Sequence, residues 1–522
     1  MKEWKQNEYF EESWRRRIQE MAARIDKDDV VADLGCGKQW LREYLPPLLN
    51  YVPVDYKERS KDTLVCDFNH YEFPNMYVDA SVISGVLEYI IDVRWFASNV
   101  INHTEKRIIL SYCSTETVPS TSQRKRNMWV NHYSNDDIQN FFSQSGFYLT
   151  EKWEVEANVI FVFSRRTQLK ACGVVIHEDI LGNLGDFTQA LAARVILGEE
   201  YHAVYLHRES LNLYRGKKLP FVCNGWFSHA PVYPPCDQLT PLYISLHITP
   251  AAQKWFSAQP MVNHLNKFAP IGCRDSQTRD FLLGIGIDAY FSGCLTYALG
   301  VKLKEDWSEV IGNPTGYQQV YLIDPPVRLV KKPMVILRAL AIGVRYASYV
   351  PRIWPLTINQ RGFMRRLLLT AFIAYEYRKV IQQYGVNLVF ETQYLKKNEQ
   401  TDYEFLCSKI QDRLFTYYHG QAVITGRIHV AIPAFFSGAN VVFIQRENPD
   451  IADVSRVRDH VQMFRQKVEL DKPDFGERVL AIIHRDEDNK DSIEISSAEL
   501  VRSQIKAVHK AVKEFYEDTD FH

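Results

Sequence analysis

Paired cysteines, an excess of charge of one sign and long hydrophobic runs are all missing from this sequence. The nine cysteines are scattered and are never spaced as C-x-x-C, which argues against a disulfide framework and against a zinc site. The 62 basic and 63 acidic residues nearly cancel. This balance removes any global electrostatic reason to expect a nucleic-acid partner.

No uncharged apolar stretch reaches the roughly 20 residues that span a bilayer. The beginning, MKEWKQNEYFEESWRRR, is charged throughout and has no apolar core of the signal-peptide type. Together with the scattered cysteines, these features lead us to expect a cytoplasmic protein. No internal repeat or low-complexity tract interrupts the chain.

Strand-like and helix-like patterns alternate along most of the sequence, which predicts parallel sheets wrapped by helices. A length of 522 residues favours two or three domains. The polar stretch SRRTQLK is the natural linker between them. We expect a first domain at 1–166 and a second at 167–522, the latter divided into subdomains at about 167–315 and 316–522.

The first candidate site is the glycine turn in VVADLGCGKQWL. Gly35 and Gly37 follow a strand and allow a ligand to approach the backbone. Trp40 stands where a dinucleotide fingerprint has its third glycine. Asp33 precedes the turn, and Asp55 ends the next strand, where a carboxylate can bind ribose hydroxyls. A pocket lined with carboxylates suits a cationic cofactor better than a pyrophosphate.

This part of the chain, roughly residues 25–165, resembles the class I S-adenosylmethionine-dependent methyltransferases. The resemblance implies that the Asp-x-Gly-x-Gly turn beginning at Asp33 holds the methionine end of the cofactor and that Asp55 holds its ribose. It also implies that Asp67 in LVCDFN sits by the adenine and that Glu88 in SGVLEYI lies near the floor of the active site.

Two alternatives stay open at this first site. The glycine pair could be only a tight strand end. The catalytic base is not identified either: His132 is a candidate, but Ser134 and Asp137 form a capping-box pattern, so His132 could simply precede a helix.

The second half of the chain carries six motifs in a fixed order. They are GNLGD, CNGWFSHAP, LYISLHI, IGCRDSQT, FSGCLTYAL and VITGRIHVAIPAFFSGANVVFI. Taken in that order they resemble the polysaccharide pyruvyl transferase family over about residues 171–445. Members of this family are built like B-type glycosyltransferases, with two Rossmann-like halves facing across a cleft, and they transfer pyruvate from phosphoenolpyruvate to sugars, commonly as a ketal.

The chemistry of that reaction explains the residue types in two of these motifs. Phosphoenolpyruvate carries a carboxylate and a phosphate, which the planar guanidinium groups of Arg274 and Arg427 can bind in bidentate fashion. Carbon 3 of the donor must gain a proton, and the resemblance assigns the proton-donor role to His429, a residue type that titrates near working pH. The alternative is that Arg427 pairs with a structural carboxylate and His429 packs against a helix.

Other motif residues are weaker candidates for binding the acceptor. Asn183 and Asp186 either face the acceptor or form a strand-to-helix turn in which Asp186 is the N-cap. Asn224 and Trp226 lie in CNGWFSHAP, and Trp226 could stack on a sugar or pack in the core. Cys294 is better explained as a small buried residue than as a nucleophile.

Residues 331–380 contain ten Lys or Arg and a single acid, Glu376, among many apolar residues. Such a stretch could lie on an anionic membrane. The alternative is that its helices pack in a subunit contact or along a cleft, with solvated arginines.

We therefore expect an α/β chain in which an N-terminal Rossmann-like methyltransferase domain is followed by a B-type glycosyltransferase-like pair of subdomains. The expected function is bifunctional glycan modification, with S-adenosylmethionine as cofactor, phosphoenolpyruvate as donor and no metal. The expected partner is a glycan acceptor, either soluble or lipid-linked, and no nucleic-acid partner is expected. Two possibilities stay open: a homo-oligomer, and peripheral contact with the inner face of the membrane. A nucleotide-sugar glycosyltransferase in the second half and an inactive methyltransferase scaffold are the alternatives.

Overall fold

The architecture is that of a computed structural model of the full chain. The structure describes residues 5, 8–47, 50–177, 183–227, 231–311, 318–329, 332–395, 402–445, 459, 467–470, 472, 474–483 and 495–519. Within these ranges, helices and strands alternate in three successive parts of the chain, which confirms the α/β class.

The first sheet contains the strands of the N-terminal part. Its order is β3-β2-β1-β4-β5-β7-β6, and every neighbouring pair is parallel except those that involve β7. A parallel Rossmann-like sheet thus carries an antiparallel pair at one edge. The strands are β1 (Val31–Leu34), β2 (Tyr51–Asp55), β3 (Leu64–Val65), β4 (Met76–Ser84), β5 (Thr104–Tyr112), β6 (Phe147–Val155) and β7 (Asn158–Arg165).

The second and third sheets are entirely parallel. The second has the order β14-β13-β12-β11-β8-β9 and the third the order β16-β15-β17-β18-β19. The strands of the second sheet are β8 (Lys170–Ile176), β9 (Tyr201–His207), β11 (Leu219–Phe227), β12 (Leu239–Ile248), β13 (Ile271–Cys273) and β14 (Ala289–Phe291). Those of the third are β15 (Val320–Ile323), β16 (Leu388–Glu391), β17 (Ala422–Thr425), β18 (Val441–Gln445) and β19 (Lys467–Glu469), while the two-residue β10 (Arg215–Gly216) pairs with β4 of the first sheet.

The helices fill the connections between these strands, as parallel topology requires. In the first part they are α1 (Trp14–Ala22), α2 (Trp40–Glu43), α3 (Val93–His103), α4 (Thr121–Arg126) and α5 (Asn135–Phe142). In the second part they are α6 (Leu184–Leu197), α7 (Gln253–Phe256), α8 (Gln259–Lys267), α9 (Ser276–Gly284) and α10 (Thr296–Ile311). The remainder are α11 (Pro333–Arg345), α12 (Val350–Ile353), α13 (Phe363–Glu376), α14 (Arg378–Tyr384), α15 (Tyr403–His419), α16 (Ile428–Ser437), α17 (Phe475–Ile483) and α18 (Ile495–Thr519).

The last helix, α18, returns to the second sheet. Val501, Val508 and Val512 are buried in one cluster with side chains of α6 and α10. The Tyr516 hydroxyl donates to the Ala171 carbonyl at 2.6 Å. The final helix of the expected subdomain 316–522 thus packs on residues of 167–315, where its apolar face is buried.

No single helix in the described ranges is long and apolar enough to cross a bilayer. Two consecutive helical segments, Pro333–Arg345 and Ala347–Thr357, are long and apolar enough for a membrane span only when they are taken together. Their axes are bent by 77° relative to each other.

Candidate active sites

The glycine turn of the first site requires glycine at both positions. Gly35 has φ +82°, and a Cβ built there would lie 2.2 Å from Cγ2 of Val86. Gly37 has φ +49°, and a Cβ there would lie 2.5 Å from the Phe10 ring. The chain thus brings β1, the strand end at Val86 and the N-terminal segment close together around this turn.

Three carboxylates predicted from the sequence line one pocket at the carboxyl ends of β1, β2 and β3. The pocket has a volume of about 860 Å³, and Asp33, Asp55 and Asp67 are in its wall together with both glycines of the turn. Asp55 accepts a hydrogen bond from the Gly37 N–H at 2.9 Å and forms an ion pair with Arg59 at 3.0 Å. A pocket of this size can hold a nucleoside cofactor and part of an acceptor.

The carboxyl group of Asp33 is buried and has a raised pKa. Burial raises the pKa of Asp33 to about 7, with a further rise from the charge of Asp55, although the hydrogen bond from the Tyr51 hydroxyl acts in the opposite direction. That hydroxyl donates to Asp33 Oδ2 at 2.6 Å. Asp33 is therefore a buried acid that can change its charge near neutral pH.

The N-terminal segment covers this pocket, a feature that the sequence reasoning missed. Glu8 pairs with Lys57 and Arg59, and Lys5 pairs with Asp67. Because the Asp55 and Asp67 carboxylates already have basic partners, a ligand must share or displace those partners. The alternation of Lys, Glu and aromatic residues near the start of the chain was the only signal for this arrangement.

Aromatic and basic side chains also line the pocket. Tyr89, Met128 and Trp129 are among its lining residues, and the exposed Lys125 and Arg126 of α4 form a basic rim. In the sequence, the basic run in SQRKRNMW is the signal for this rim.

Two other residues considered at this site lie outside the pocket wall. Glu88 is buried, and its Oε1 accepts from the Cys113 N–H at 2.8 Å. His132 is exposed and accepts from Arg124 Nε at 3.0 Å through Nδ1. The next helix, α5, begins with the capping box of Ser134 and Asp137, as the sequence predicts. The structure thus brings together Asp33, Gly35, Gly37, Asp55 and Asp67, with Glu88 behind the wall.

The second site forms where the carboxyl ends of two sheets meet. Arg274 directly follows β13 of the second sheet, whereas Arg427 and His429 follow β17 of the third. Arg274 Nη1 lies 3.5 Å from His429 Nε2. The three residues predicted to carry the chemistry are therefore brought to one place from two separate sheets.

Arg427 is held by groups of its own sheet. Its Nη2 donates to the Tyr394 hydroxyl at 2.9 Å, and its Nε lies 3.5 Å from Asp324 Oδ2. Burial lowers the pKa of Arg427, but the charge of Asp324 and the contact with Tyr394 outweigh it and leave the pKa raised. Ile428 is buried, and α16 begins at Ile428, with Arg427 as the residue before the helix.

Arg274 is almost completely buried, and its Nη1 donates to Gln189 Oε1 at 3.0 Å. Three buried polar atoms near these arginines have no hydrogen-bond partner among the described residues: Gln189 Nε2, Asn224 Oδ1 and Asp324 Oδ1. Buried polar atoms are nearly always satisfied in native proteins. Three such atoms in one region favour a polar ligand there.

A buried histidine–aspartate pair adjoins Arg274, and the sequence reasoning missed it. His247, at the end of β12, places Nδ1 2.5 Å from Asp275 Oδ2. Asp275 is also the N-cap of α9, since it accepts from the Thr278 N–H at 2.9 Å. Burial would raise the pKa of Asp275, but the hydrogen bond and charge of His247 and the charge of Arg274 lower it to about 2.

The weaker candidates of the second half have structural partners. Asn183, rather than Asp186, caps α6: its Oδ1 accepts from the Gly185 N–H at 3.1 Å. The alternative with Asp186 as N-cap is therefore wrong, because Asn183 is the residue with extended backbone before the first turn. Asn224 donates to the Gln189 carbonyl, Trp226 is half-buried near His177, and Cys294 is buried.

Among the residues that the structure describes, no group of three or more His, Cys, Asp or Glu side chains is arranged to hold a metal ion. The first site offers carboxylates, aromatic rings and an exposed basic rim. The second offers two guanidinium groups and an imidazole.

One family model matches a segment of the chain. Residues 243–448 match the family model described as polysaccharide pyruvyl transferase, which confirms the resemblance for that segment. No curated protein sequence matches the chain.

The N-terminal part is similar to solved methyltransferase structures. A Haloferax volcanii complex of the Trm112 methyltransferase activator with a methyltransferase has a TM-score of 0.26 and 14% identity, over 30% of this chain and 91% of that one. CalO1, a methyltransferase of calicheamicin biosynthesis, has a TM-score of 0.24 and 14% identity over 28% of this chain and 53% of that one. The strand order of the first sheet, parallel with an antiparallel pair at one edge, is compatible with the methyltransferase-like Rossmann fold that the sequence predicts.

Proposed function

We propose that the chain is a bifunctional glycan-modifying enzyme. It methylates a sugar hydroxyl with S-adenosylmethionine, and it transfers pyruvate from phosphoenolpyruvate to a polysaccharide or lipid-linked oligosaccharide as a ketal. The meeting of Arg274, Arg427 and His429 at the edges of two parallel sheets is the observation that carries the second activity. The same facing edges support a B-type glycosyltransferase-like arrangement of residues 167–522.

In the second site, the two arginines bind the carboxylate and phosphate of the donor. His429 Nε2 gives a proton to carbon 3, a sugar oxygen attacks carbon 2 and loses its proton, and the bond from carbon 2 to the phosphate oxygen breaks. The second hydroxyl closes the ketal. Of the two hydroxyl protons released, one restores His429 and the other leaves with phosphate, so the reaction balances.

The donor also fits the charges around His429. Arg274 Nη1 lies 3.5 Å from His429 Nε2, so a phosphate or carboxylate bound by Arg274 would also lie close to the imidazole.

In the first site, Asp33 faces the cationic methionine end of the cofactor, Asp55 accepts from ribose hydroxyls and Asp67 lies by the adenine. The cofactor supplies an electrophilic methyl group on a sulfonium. The carboxylates fit its positive charge, and the glycine turn leaves room for its approach. Tyr89 and Trp129, which line the same pocket, would contact the acceptor.

The test uses the full chain with both donors and a panel of soluble oligosaccharides. We expect acceptor-dependent release of phosphate from phosphoenolpyruvate and transfer of the labelled methyl group, with both products identified by mass spectrometry. Release of a nucleoside diphosphate from a nucleotide sugar, without phosphoenolpyruvate turnover, would instead make the second half a glycosyltransferase. Failure to bind S-adenosylmethionine in calorimetry would leave the first half an inactive scaffold.

Arg427→Lys provides a variant for the same assay. The ammonium keeps the charge but cannot make the paired planar contact of a guanidinium, so the Michaelis constant for phosphoenolpyruvate should rise on the order of tenfold or more. Arg413→Lys is the matched control, since Arg413 donates to the Thr392 carbonyl on the same sheet and lies outside the proposed contacts. An unchanged Michaelis constant in Arg427→Lys would contradict donor binding by Arg427.

A further inference from the structure

The outward face of α11 is apolar where a surface helix is ordinarily polar. Met334, Leu337 and Val344 are 63%, 59% and 77% exposed, and Ala341 between them is exposed as well. Their spacing of three or four residues places them on one side of the helix. The other side packs into the core through Ala339, which is fully buried.

Basic residues share this outward face. Arg338 and Arg345 are exposed at positions that continue the same helical spacing, and Lys332 precedes the helix. Among the described residues, no carboxylate lies within ion-pair distance of these three. The one acid of the surrounding stretch, Glu376, is buried and lies 3.9 Å from Arg328.

The beginning of α13 also presents exposed apolar side chains next to exposed basic ones. Phe363 and Met364 are 67% and 64% exposed, and Arg361 and Arg365 flank them as exposed cations. Two large apolar side chains on a first helical turn, with no described carboxylate paired to their basic neighbours, are unusual for a surface that faces only water.

We propose that a basic–apolar surface formed by these two groups binds an anionic phospholipid bilayer. It consists of Lys332, Met334, Leu337, Arg338, Val344, Arg345, Arg361, Phe363, Met364 and Arg365. The apolar side chains enter the headgroup region and the arginines and lysine pair with lipid phosphates, the pattern of an interfacial amphipathic helix. A helix of 13 residues is about 20 Å long, shorter than the roughly 30 Å of a bilayer core, so α11 lies on the membrane and does not cross it.

The chain connects this surface directly to the second site. β15 ends at Ile323, Asp324 contacts Arg427, and the exposed Leu329 follows on the way to α11. A bilayer at α11 would bring an acceptor with a lipid anchor to the same edge of the third sheet. This last step rests on the proposed pyruvyl transfer, whereas membrane binding itself does not.

Vesicle flotation of the full chain tests the proposal. The vesicles contain phosphatidylcholine alone or phosphatidylcholine mixed with phosphatidylglycerol, each at low and high salt. We expect the protein to float with the anionic vesicles and to bind less at high salt, because screening weakens the contacts with phosphates. We expect the double variant Leu337→Glu with Val344→Glu to reduce the bound fraction at least tenfold. The double variant Arg338→Gln with Arg345→Gln should weaken the salt dependence, because it removes two of the five cations of the surface.

Leu283→Glu is the matched control, since Leu283 is an exposed leucine on α9, far along the chain from this surface. It should float as the wild type does, and circular dichroism should show that all variants are folded. Absence of binding by the wild type to anionic vesicles overturns the proposal. A second result would also overturn it: light scattering shows that the wild type is a dimer and that the double variant Leu337→Glu with Val344→Glu is a monomer, while neither protein binds vesicles. If the Leu337→Glu with Val344→Glu variant no longer floats but still releases phosphate with a soluble acceptor, membrane binding and catalysis are carried by different parts of the chain.

Discussion

Arg427 and His429 are separated by one buried residue, and their side chains meet partners from different sheets. Arg427 contacts Asp324 and Tyr394 of its own sheet, whereas His429 lies next to Arg274 of the neighbouring one. The backbone turns from β17 into α16 at Ile428, which places both side chains at the strand end. Their proximity thus results from a strand-to-helix junction whose apolar residue is buried.

His429→Ala separates proton transfer from donor binding. The arginines remain, so binding of phosphoenolpyruvate should be nearly intact, while turnover falls by a factor on the order of a hundred or more, as for loss of a general acid. Steady-state phosphate release gives turnover, and calorimetry gives donor affinity. Wild-type turnover in His429→Ala would show that the histidine is not the proton donor. Methyl transfer serves as the internal control and should not change.

The buried Asp33 should make the proposed binding of S-adenosylmethionine depend on pH. Its pKa of about 7 lies above the ordinary value of 3.8, so in the folded protein Asp33 is protonated between these values while the unfolded chain is ionised. Without cofactor, the stability that this proton contributes is therefore lost as pH rises through 7. A cationic cofactor favours the ionised form, so its affinity should increase from about pH 5.5 to about 7.5 and then level off.

Calorimetry with S-adenosylmethionine across that pH range, in two buffers of different ionisation enthalpy, measures both the affinity and the proton release. Asp33→Asn should bind more weakly and lose the slope of affinity against pH. A slope that persists in Asp33→Asn would mean that another group titrates. Asp62→Asn, on the loop before β3, is an exposed control that should keep the wild-type slope.

At the residue scale, sequence reasoning located the groups whose chemistry is tied to a motif. Asp33, Asp55, Asp67, Arg274 and Arg427 lie at or just after strand ends, and His429 lies in the first turn of the helix that follows β17, as alternation of strands and helices predicts. It missed His247, because a histidine inside an apolar strand has no local signal until Asp275 is brought beside it by the sheet. It also made Asp186 the alternative N-cap, since an aspartate and an asparagine three residues apart are both good caps.

At the scale of elements, α9 is fixed to the second sheet by the His247–Asp275 pair. Asp275→Asn keeps a side-chain oxygen for the cap of α9 but removes the negative charge beside His247. Breaking a buried pair costs about 3 kcal/mol, and Asp275 is fully buried. We expect that loss of unfolding free energy, together with lower pyruvyl transfer as the turn at Arg274 moves.

Chemical denaturation of both proteins measures the loss. The pKa of about 2 gives the pH window: the contribution of Asp275 is complete above the ordinary value near 4 and is lost as pH falls towards 2. The difference in unfolding free energy between Asp275→Asn and the wild type should therefore become smaller below about pH 4. Asp280→Asn on the same helix removes an exposed pair with Arg279 and should cost less than about 0.5 kcal/mol. Equal stability of Asp275→Asn and wild type at pH 7 would contradict the role of this pair.

Local sequence signals predict where a helix begins, but they do not predict which distant segments pair with each other. Ser134 with Asp137 predicts the beginning of α5, because a capping box depends only on neighbouring residues. The pairing of Arg215–Gly216 with Met76–Tyr77 joins residues more than a hundred positions apart and has no local pattern. The return of α18 to the second sheet is of the same kind.

At the scale of the whole molecule, buried polar contacts join the first part of the chain to the second. Asn102 donates to the Ala203 carbonyl at 2.7 Å and accepts from the Tyr205 N–H at 2.9 Å. Asn75 makes the equivalent pair with the backbone of His207. The two asparagines thus satisfy the free edge of β9, which would otherwise expose unpaired backbone groups.

This contact lies at the opposite end of the first sheet from the cofactor pocket. β4 contacts the second part at Met76 and Tyr77, its amino end, and reaches the pocket at Ser84, its carboxyl end. A strand of nine residues is about 30 Å long. A change at Asp55, which ends β2 and lines the same pocket as Ser84, is therefore remote from the contact with the second part.

Asp55→Ala is the change that tests whether the two activities are independent. It removes the proposed ribose contact and the partner of the Gly37 N–H, so methyl transfer should fall below detection and affinity for S-adenosylmethionine should drop at least tenfold. Pyruvyl transfer should stay at the wild-type rate, because the contacts of Asn75 and Asn102 are untouched. Asn102→Ala is the counterpart, since it leaves the cofactor pocket intact but exposes the edge of β9. Equal loss of both activities in Asp55→Ala, with the fold intact by circular dichroism, would show that the two sites work as one.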